Sequence, residues 1–188
     1  MIDEASKSMA RLVALIAEMS DLGKLDSDQV AYQPESFDLF HELNAVAAQV
    51  EDGRDRDVHL QLIGTPDGAR LTGDRPRMLG AFGAFFRALV REQPAPVTMV
   101  VDRRIVEDRD GTSAIVVIAR EADVQRANGA ASQPFDEFRS GVGLALPIGR
   151  RVIERAGGRL WSPTPEGDGD RGLRSAMVIS LPLPRAAS

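Results

Sequence analysis

Gly141 and Gly143 flank a single residue just before an apolar-periodic stretch, in the string GVGLALPIGRRVIERAGG over residues 141–158. A Gly-x-Gly turn that opens into a helix leaves the first backbone N–H groups, at Leu144 and Ala145, available to an anion. The helix dipole favours negative charge at that end, so phosphate is the chemistry the arrangement suits. The helix reading rests on Leu144, Ile148, Val152 and Ala156, which recur every four residues and share a face. Gly157 and Gly158 mark its end, and Arg150, Arg151 and Arg155 suit the negative pole of the dipole. Taken alone, Gly-x-Gly before a helix is also the sequence of a plain loop-to-helix turn.

Few other residues compete for a chemical role. The chain of 188 residues has no cysteine and only 2 histidines, which excludes disulfides, thiol catalysis, a cysteine metal site and a histidine-rich metal centre. Net charge is -5 with 5% aromatic residues and no basic block, so nucleic acid is not an expected partner. A hydrophobic share of 43% supports a full core, and no apolar run reaches the length of a membrane span. No signal peptide is visible, and the expected location is cytoplasmic.

The elements that must position the glycine turn follow from periodicity. Residues 3–25 read as one amphipathic helix, with Met9, Leu12, Ile16 and Met19 on a seam that suits a dimer or bundle interface. Residues 29–32 suit a short strand. Ser36 or Asp38 can cap a helix running to about Glu51. A strand is expected over 58–63, a turn at 66–68, a helix over about 76–91, and two long strands over 97–106 and 113–119. Residues 121–140 are small, polar and without period, and read as a mobile loop. After the helix that follows the glycine turn come strands over 160–164 and 176–183. This order of helices and strands implies an α+β fold, a two-layer sandwich with helices on one face of a mixed sheet.

Several of these segments resemble the histidine-kinase family. Gly141, Gly143, Leu144, Leu146, Ile148, Gly157 and Gly158 match the family's second glycine box, with Ala145 where it has glycine and Pro147 where it has alanine. Asp21, Leu22, Leu25 and Asp26, then Pro34, Phe37, Asp38 and Leu39, resemble the end of the dimerisation hairpin and the entry to the ATPase domain. Phe135 and Phe138 resemble the phenylalanine pair that anchors the ATP lid. The resemblance implies a partial dimerisation helix over residues 1–25 and a histidine-kinase-like ATPase domain over residues 26–188, with homodimerisation through the N-terminal helix.

The family's catalytic positions are missing one by one. The helix asparagine that holds magnesium on the nucleotide falls on Ala84 or Ala88, and no Asn, Asp, Gln or Glu lies between Asp74 and Glu92. The Asp-x-Gly-x-Gly box that takes adenine is replaced by Arg120-Glu121-Ala122-Asp123-Val124, where Asp123 or Glu121 could mimic only the carboxylate. The phosphoacceptor helix has no counterpart. His41, in His41-Glu42-Leu43, sits where the first ATPase-domain helix belongs and reads as a surface histidine, a weak alternative acceptor; His59 reads as structural. No catalytic residue and no metal ligand is assigned. The expectation is a two-component signalling protein, a pseudokinase or phosphorelay scaffold that binds a response regulator or another kinase without a cofactor. The alternative is a divergent domain that binds ATP and magnesium and phosphorylates a histidine supplied by another chain. An anti-sigma-type binder on the same fold is a third class.

Overall fold

The computed structural model describes residue 9 and residues 34–109, 111–137, 144–164 and 171–184. In order these form β1 (Glu35–Asp38), α1 (Leu39–Ala48), β2 (Val58–Gly64), β3 (Arg70–Gly73), α2 (Arg75–Arg91), β4 (Val97–Glu107), β5 (Thr112–Arg120), α3 (Val124–Gly129), β6 (Ser132–Pro134), α4 (Ala145–Arg155), β7 (Arg159–Pro163), α5 (Arg171–Arg174) and β8 (Met177–Pro182). Single 3-10 turns lie at Arg54–Arg56 and Glu121–Asp123.

The main sheet has six strands in the order β2-β4-β5-β8-β7-β6. β2 and β4 are parallel, with Leu60 opposite Met99, and the remaining pairs are antiparallel. β1 and β3 form a separate antiparallel pair, with Glu35 opposite Gly73. The mixed sheet and the α+β class are as the element order implied.

Alternation along the central strands sorts the core into two faces. Met99, Val101, Val116, Ile118, Met177 and Ile179 point to the layer of α1, α2 and α4. Val100, Val117, Ala119 and Val178 point the other way. The helical layer holds the larger core, in which Phe40, Phe82, Phe85, Phe86 and Leu89 are all 0% exposed. Burying each such side chain stabilises the fold by about 1.5–3 kcal/mol. The short helices α3 and α5 cover part of the opposite face, bringing Val124, Ala127, Leu173 and Ala176 onto the sheet.

Short polar signals set where the helices start. Asp38 caps α1, accepting from the His41 N–H at 3.2 Å, and its other carboxylate oxygen accepts from the Gly68 N–H at 2.6 Å. Asp74 caps α2 in the same way through the Arg77 N–H at 3.2 Å, and Pro76 occupies the first turn, where it displaces no bond. Arg103 is 4% exposed and donates to the Phe40 carbonyl at 2.9 Å and the Asn44 side-chain oxygen at 3.3 Å, which ties β4 to α1. Burial lowers its guanidinium pKa, and Asp102 and Asp38 act against that shift. Among the described residues no helix is long and apolar enough to cross a membrane.

Two expectations change. Residues 121–134 are not a loop: they form the 3-10 turn, α3 and β6, because Val124 and Ala127 find an apolar face to bury that no local pattern announces. His59 lies on β2 but is exposed, hydrogen-bonded to Asp57 at 2.7 Å, so it is a surface residue and not part of the core. The strand expected over 29–32 and the seam residues Leu12, Ile16 and Met19 lie outside the described residues. Met9 is helical and 65% exposed.

Candidate functional site

α2 and α4 pack antiparallel in the helical layer. Gly149 of α4 lies against Phe85 and Ala81, close enough that a Cβ there would sit 2.8 Å from the Phe85 ring. One turn further on, Val152 and Arg155 line a cleft with Met78 and Arg77. The first turn of α4 therefore points toward the Ala84–Ala88 half of α2.

The groups at that meeting point are poor in ligands. Leu144 is the N-cap of α4, and Ala145, exposed, and Leu146 supply N–H groups in the first turn. Pro147, the third helical residue, has no N–H, so the anion site loses one of its usual donors. Ala84 and Ala88 are 8% and 6% exposed and offer only methyl groups. Magnesium needs hard oxygen ligands in near-octahedral geometry, and α2 has no carboxylate or amide side chain from Arg75 to Arg91. The residues of α2 do not fit the ion. Among the described residues no group of three or more histidine, aspartate or glutamate side chains could hold a metal ion. Gly141, Gly143 and Phe138 lie outside the described residues.

Asp123 is buried and ion-paired. It is 6% exposed, with its two carboxylate oxygens taken by Arg120 Nε at 2.8 Å and Arg126 Nη1 at 3.1 Å. It immediately precedes α3, on the opposite face of the sheet from α2 and α4. Glu121 is exposed.

Phe135 is buried in the helical layer. β6 is the edge strand and pairs with β7, with Pro134 opposite Trp161, and so carries the chain from the α3 side of the sheet back to the helical layer. There Phe135 is 4% exposed, edge-on to Phe85 with ring centroids 6.4 Å apart. Two residues on, Glu137 pairs with Arg150 of α4 at 3.4 Å, and Arg150 also holds Glu154 at 2.8 Å. The Glu154 hydrogen bond is the main cause that raises the Arg150 pKa, with Glu137 adding to it. His41 is exposed on α1, in keeping with a surface histidine.

Sequence reasoning missed a cleft of about 340 Å³ at the other end of the α2–α4 pair, lined by Phe37, Leu71, Met78, Val152, Ala156 and Leu183 among others. Its walls come from five separate elements or their flanks. Phe37 and Leu71 carried a partial signal, as apolar residues with no helical period to explain them.

No protein-family model matches the sequence, and no curated protein matches it. Solved structures do. The Acinetobacter baumannii histidine kinase AdeS superposes with a TM-score of 0.68 at 16% identity, over 97% of this chain and 83% of that one. Full-length ShkA, solved in complex with AMPPNP, gives a TM-score of 0.68 at 17% identity, over 97% of this chain and 38% of ShkA. The histidine kinase ThkA, solved in complex with the response regulator protein TrrA, gives 0.64 at 15% identity over 97% of this chain and 50% of that one. Superposition at such low identity is a likeness of fold, and the chain has the fold of the histidine-kinase ATPase-like region.

Proposed function

We propose that this chain is a two-component signalling protein in which the ATPase fold serves to bind a protein partner, a response regulator or another kinase, and no longer transfers phosphate. Residues 26–188 would form the binding domain, and residues 1–25 a partial dimerisation helix that makes the chain a homodimer. The observation that carries this reading is the α2 surface: methyl groups of Ala84 and Ala88 stand where a magnesium ligand is needed, over a core of Phe82, Phe85 and Phe86. Pro147 and the ion-paired Asp123 support it from the phosphate and adenine sides. The ThkA–TrrA complex lends support to a response regulator as partner, since a protein of this fold engages one.

A second reading keeps nucleotide binding: a divergent kinase domain acting on a histidine of another chain. The N–H groups of Ala145 and Leu146 and the buried Phe135 favour it.

Thermal melting with AMPPNP, with and without magnesium, separates the two. A ligand at a hundred times its Kd stabilises the bound state by about 2.7 kcal/mol, or about 5–11 °C for a chain of this size. The scaffold reading expects no magnesium-dependent shift beyond about 1 °C, far below that linkage value. A shift of several degrees that requires magnesium would sink it. Pull-downs against response regulators and against sigma factors distinguish a phosphorelay partner from an anti-sigma role.

A further inference from the structure

The two edges of the main sheet are built differently. β6 is an edge of 3 residues, and Pro134 within it has no N–H to offer a further strand. β2, the other edge, runs for 7 residues without proline or lysine, and His59 is its one titratable side chain. Three hydrogen bonds fix how its backbone is turned. The Asp57 carbonyl accepts from the Val97 N–H at 3.3 Å, and the Thr65 N–H donates to the Arg103 carbonyl at 2.8 Å, so the odd-numbered residues of β2 bond to β4. The even-numbered residues face the other way, and the Val58 N–H accordingly donates to the Gly53 carbonyl at 3.0 Å. The N–H and C=O groups of Leu60 and Leu62 therefore point out of the sheet edge, where no strand pairs with them among the described residues. An edge of this length with none of the usual blunting is a template for another strand.

We infer that this edge pairs with β2 of a second copy of the chain, antiparallel about a two-fold axis at Gln61, and joins the two main sheets into one. The strand is self-complementary in that register. Leu60 lies opposite Leu62 of the partner subunit, and Leu62 opposite Leu60 of the partner subunit, so each pair exchanges both of its outward backbone hydrogen bonds. Side chains agree with the backbone. Leu60 and Leu62 are only partly buried on the helical-layer face, so opposing leucines cover apolar surface that one copy leaves open. On the other face the exposed Gln61 meets Gln61 of the partner subunit, and the two amides can hydrogen-bond. His59 falls opposite an isoleucine and Asp57 opposite a threonine, so no like charges oppose each other. Centring the axis on Leu60 or Leu62 instead would set the other leucine against Val58 or Gly64 of the partner subunit, which is a poorer apolar match. The contact is separate from the seam proposed for residues 1–25, and with both in place dimers would link into larger assemblies.

The test uses the full chain carrying Ile16→Asp, which removes the apolar seam proposed for residues 1–25 and leaves the sheet edge alone. A pair of short strands is a small interface, so association is expected to be reversible, with a dimer detectable by sedimentation below about 1 mM. Hydrogen exchange at the Leu60 and Leu62 amides should slow as the concentration rises. Gln61→Lys and Gln61→Glu each set like charges against one another at the axis and leave the β2–β4 ladder intact, and each should weaken association about fivefold. Mixed in equal amounts, the two variants should pair with each other about tenfold more tightly than either pairs with itself. A chain that stays monomeric up to about 1 mM overturns the inference. So do Gln61 variants that associate as tightly as their parent, or a mixture no tighter than its parts, which would put the contact elsewhere on the surface. Protection of Leu60 and Leu62 that is unchanged on dilution gives the edge to another part of the same chain and overturns it as well.

Discussion

Replacing Gly149 by alanine tests the packing that sets α4 against α2. Gly149 and Gly80 are both interior to helices with ordinary backbone angles, so either substitution gains about 0.5–1 kcal/mol from reduced chain entropy and better helix propensity. Their surroundings differ. A Cβ at Gly80 meets nothing within 4 Å, whereas one at Gly149 sits 2.8 and 2.9 Å from two atoms of the Phe85 ring. That ring is 0% exposed and held edge-on by Phe82 at 6.1 Å and Phe135 at 6.4 Å, so it cannot swing aside cheaply. Overpacking of this kind costs about 1–3 kcal/mol. Gly80→Ala is therefore expected to stabilise by up to about 1 kcal/mol. Gly149→Ala is expected to be about neutral to 2 kcal/mol destabilising, its overpacking offset by the same propensity gain. The propensity term cancels in the comparison, and the difference of about 1–3 kcal/mol is the steric part, or about 2–12 °C in Tm. Urea and thermal unfolding of the two variants side by side measure it. A second substitution, Phe85→Leu, should recover part of the loss in the Gly149→Ala background, as coupling between touching side chains requires. If Gly149→Ala stabilises the protein as much as Gly80→Ala does, the close α2–α4 approach is wrong, and with it the direction in which the start of α4 points.

Three further outcomes follow from particular contacts. Arg103→Met should destabilise by about 2–4 kcal/mol in urea unfolding, because it removes the charged donor to the Phe40 and Ile63 carbonyls and the Asn44 side-chain oxygen. Phe135→Ala should cost about 3–4 kcal/mol by the same measurement, since it empties a site against Phe85 that no neighbouring side chain refills. Ile16→Asp should lower the apparent mass in analytical ultracentrifugation if the N-terminal seam forms a dimer, and a wild-type chain that stays monomeric at every concentration removes the dimer from the proposal.

Much of the architecture was legible in local pattern. Asp74 and Pro76 mark the start of α2, Gly157 and Gly158 mark the end of α4, and β-branched apolar runs bounded by a turn at residues 108–111 mark β4 and β5. Gly157 adopts a positive φ of 74°, and a Cβ at Gly158 would lie 2.7 Å from Leu181 and from the Ser180 carbonyl, so both glycines are required where they stand. The stretch over 121–134 was not legible. α3 is six residues long, too short to show a period, and its apolar residues gain their burial from β4, β5 and β8, which are distant in sequence. The candidate site divides in the same way. The missing asparagine at Ala84 and Ala88 is a matter of residue type, visible before any fold is known. That Asp123 is neutralised by two arginines on the far side of the sheet depends on where α3 goes.

The sequence by itself determined the class of fold, the caps that start its helices and the absence of oxygen ligands along α2, because each depends on residue type and spacing within one element. Tertiary structure alone decided which groups share a space: Gly149 under Phe85, α3 on the face of the sheet opposite α2 and α4, and a cleft walled by β1, β3, α2, α4 and the end of β8. The physical reason is range. Propensity and periodicity act over a few residues, whereas contacts between elements are set by packing among residues far apart in the chain.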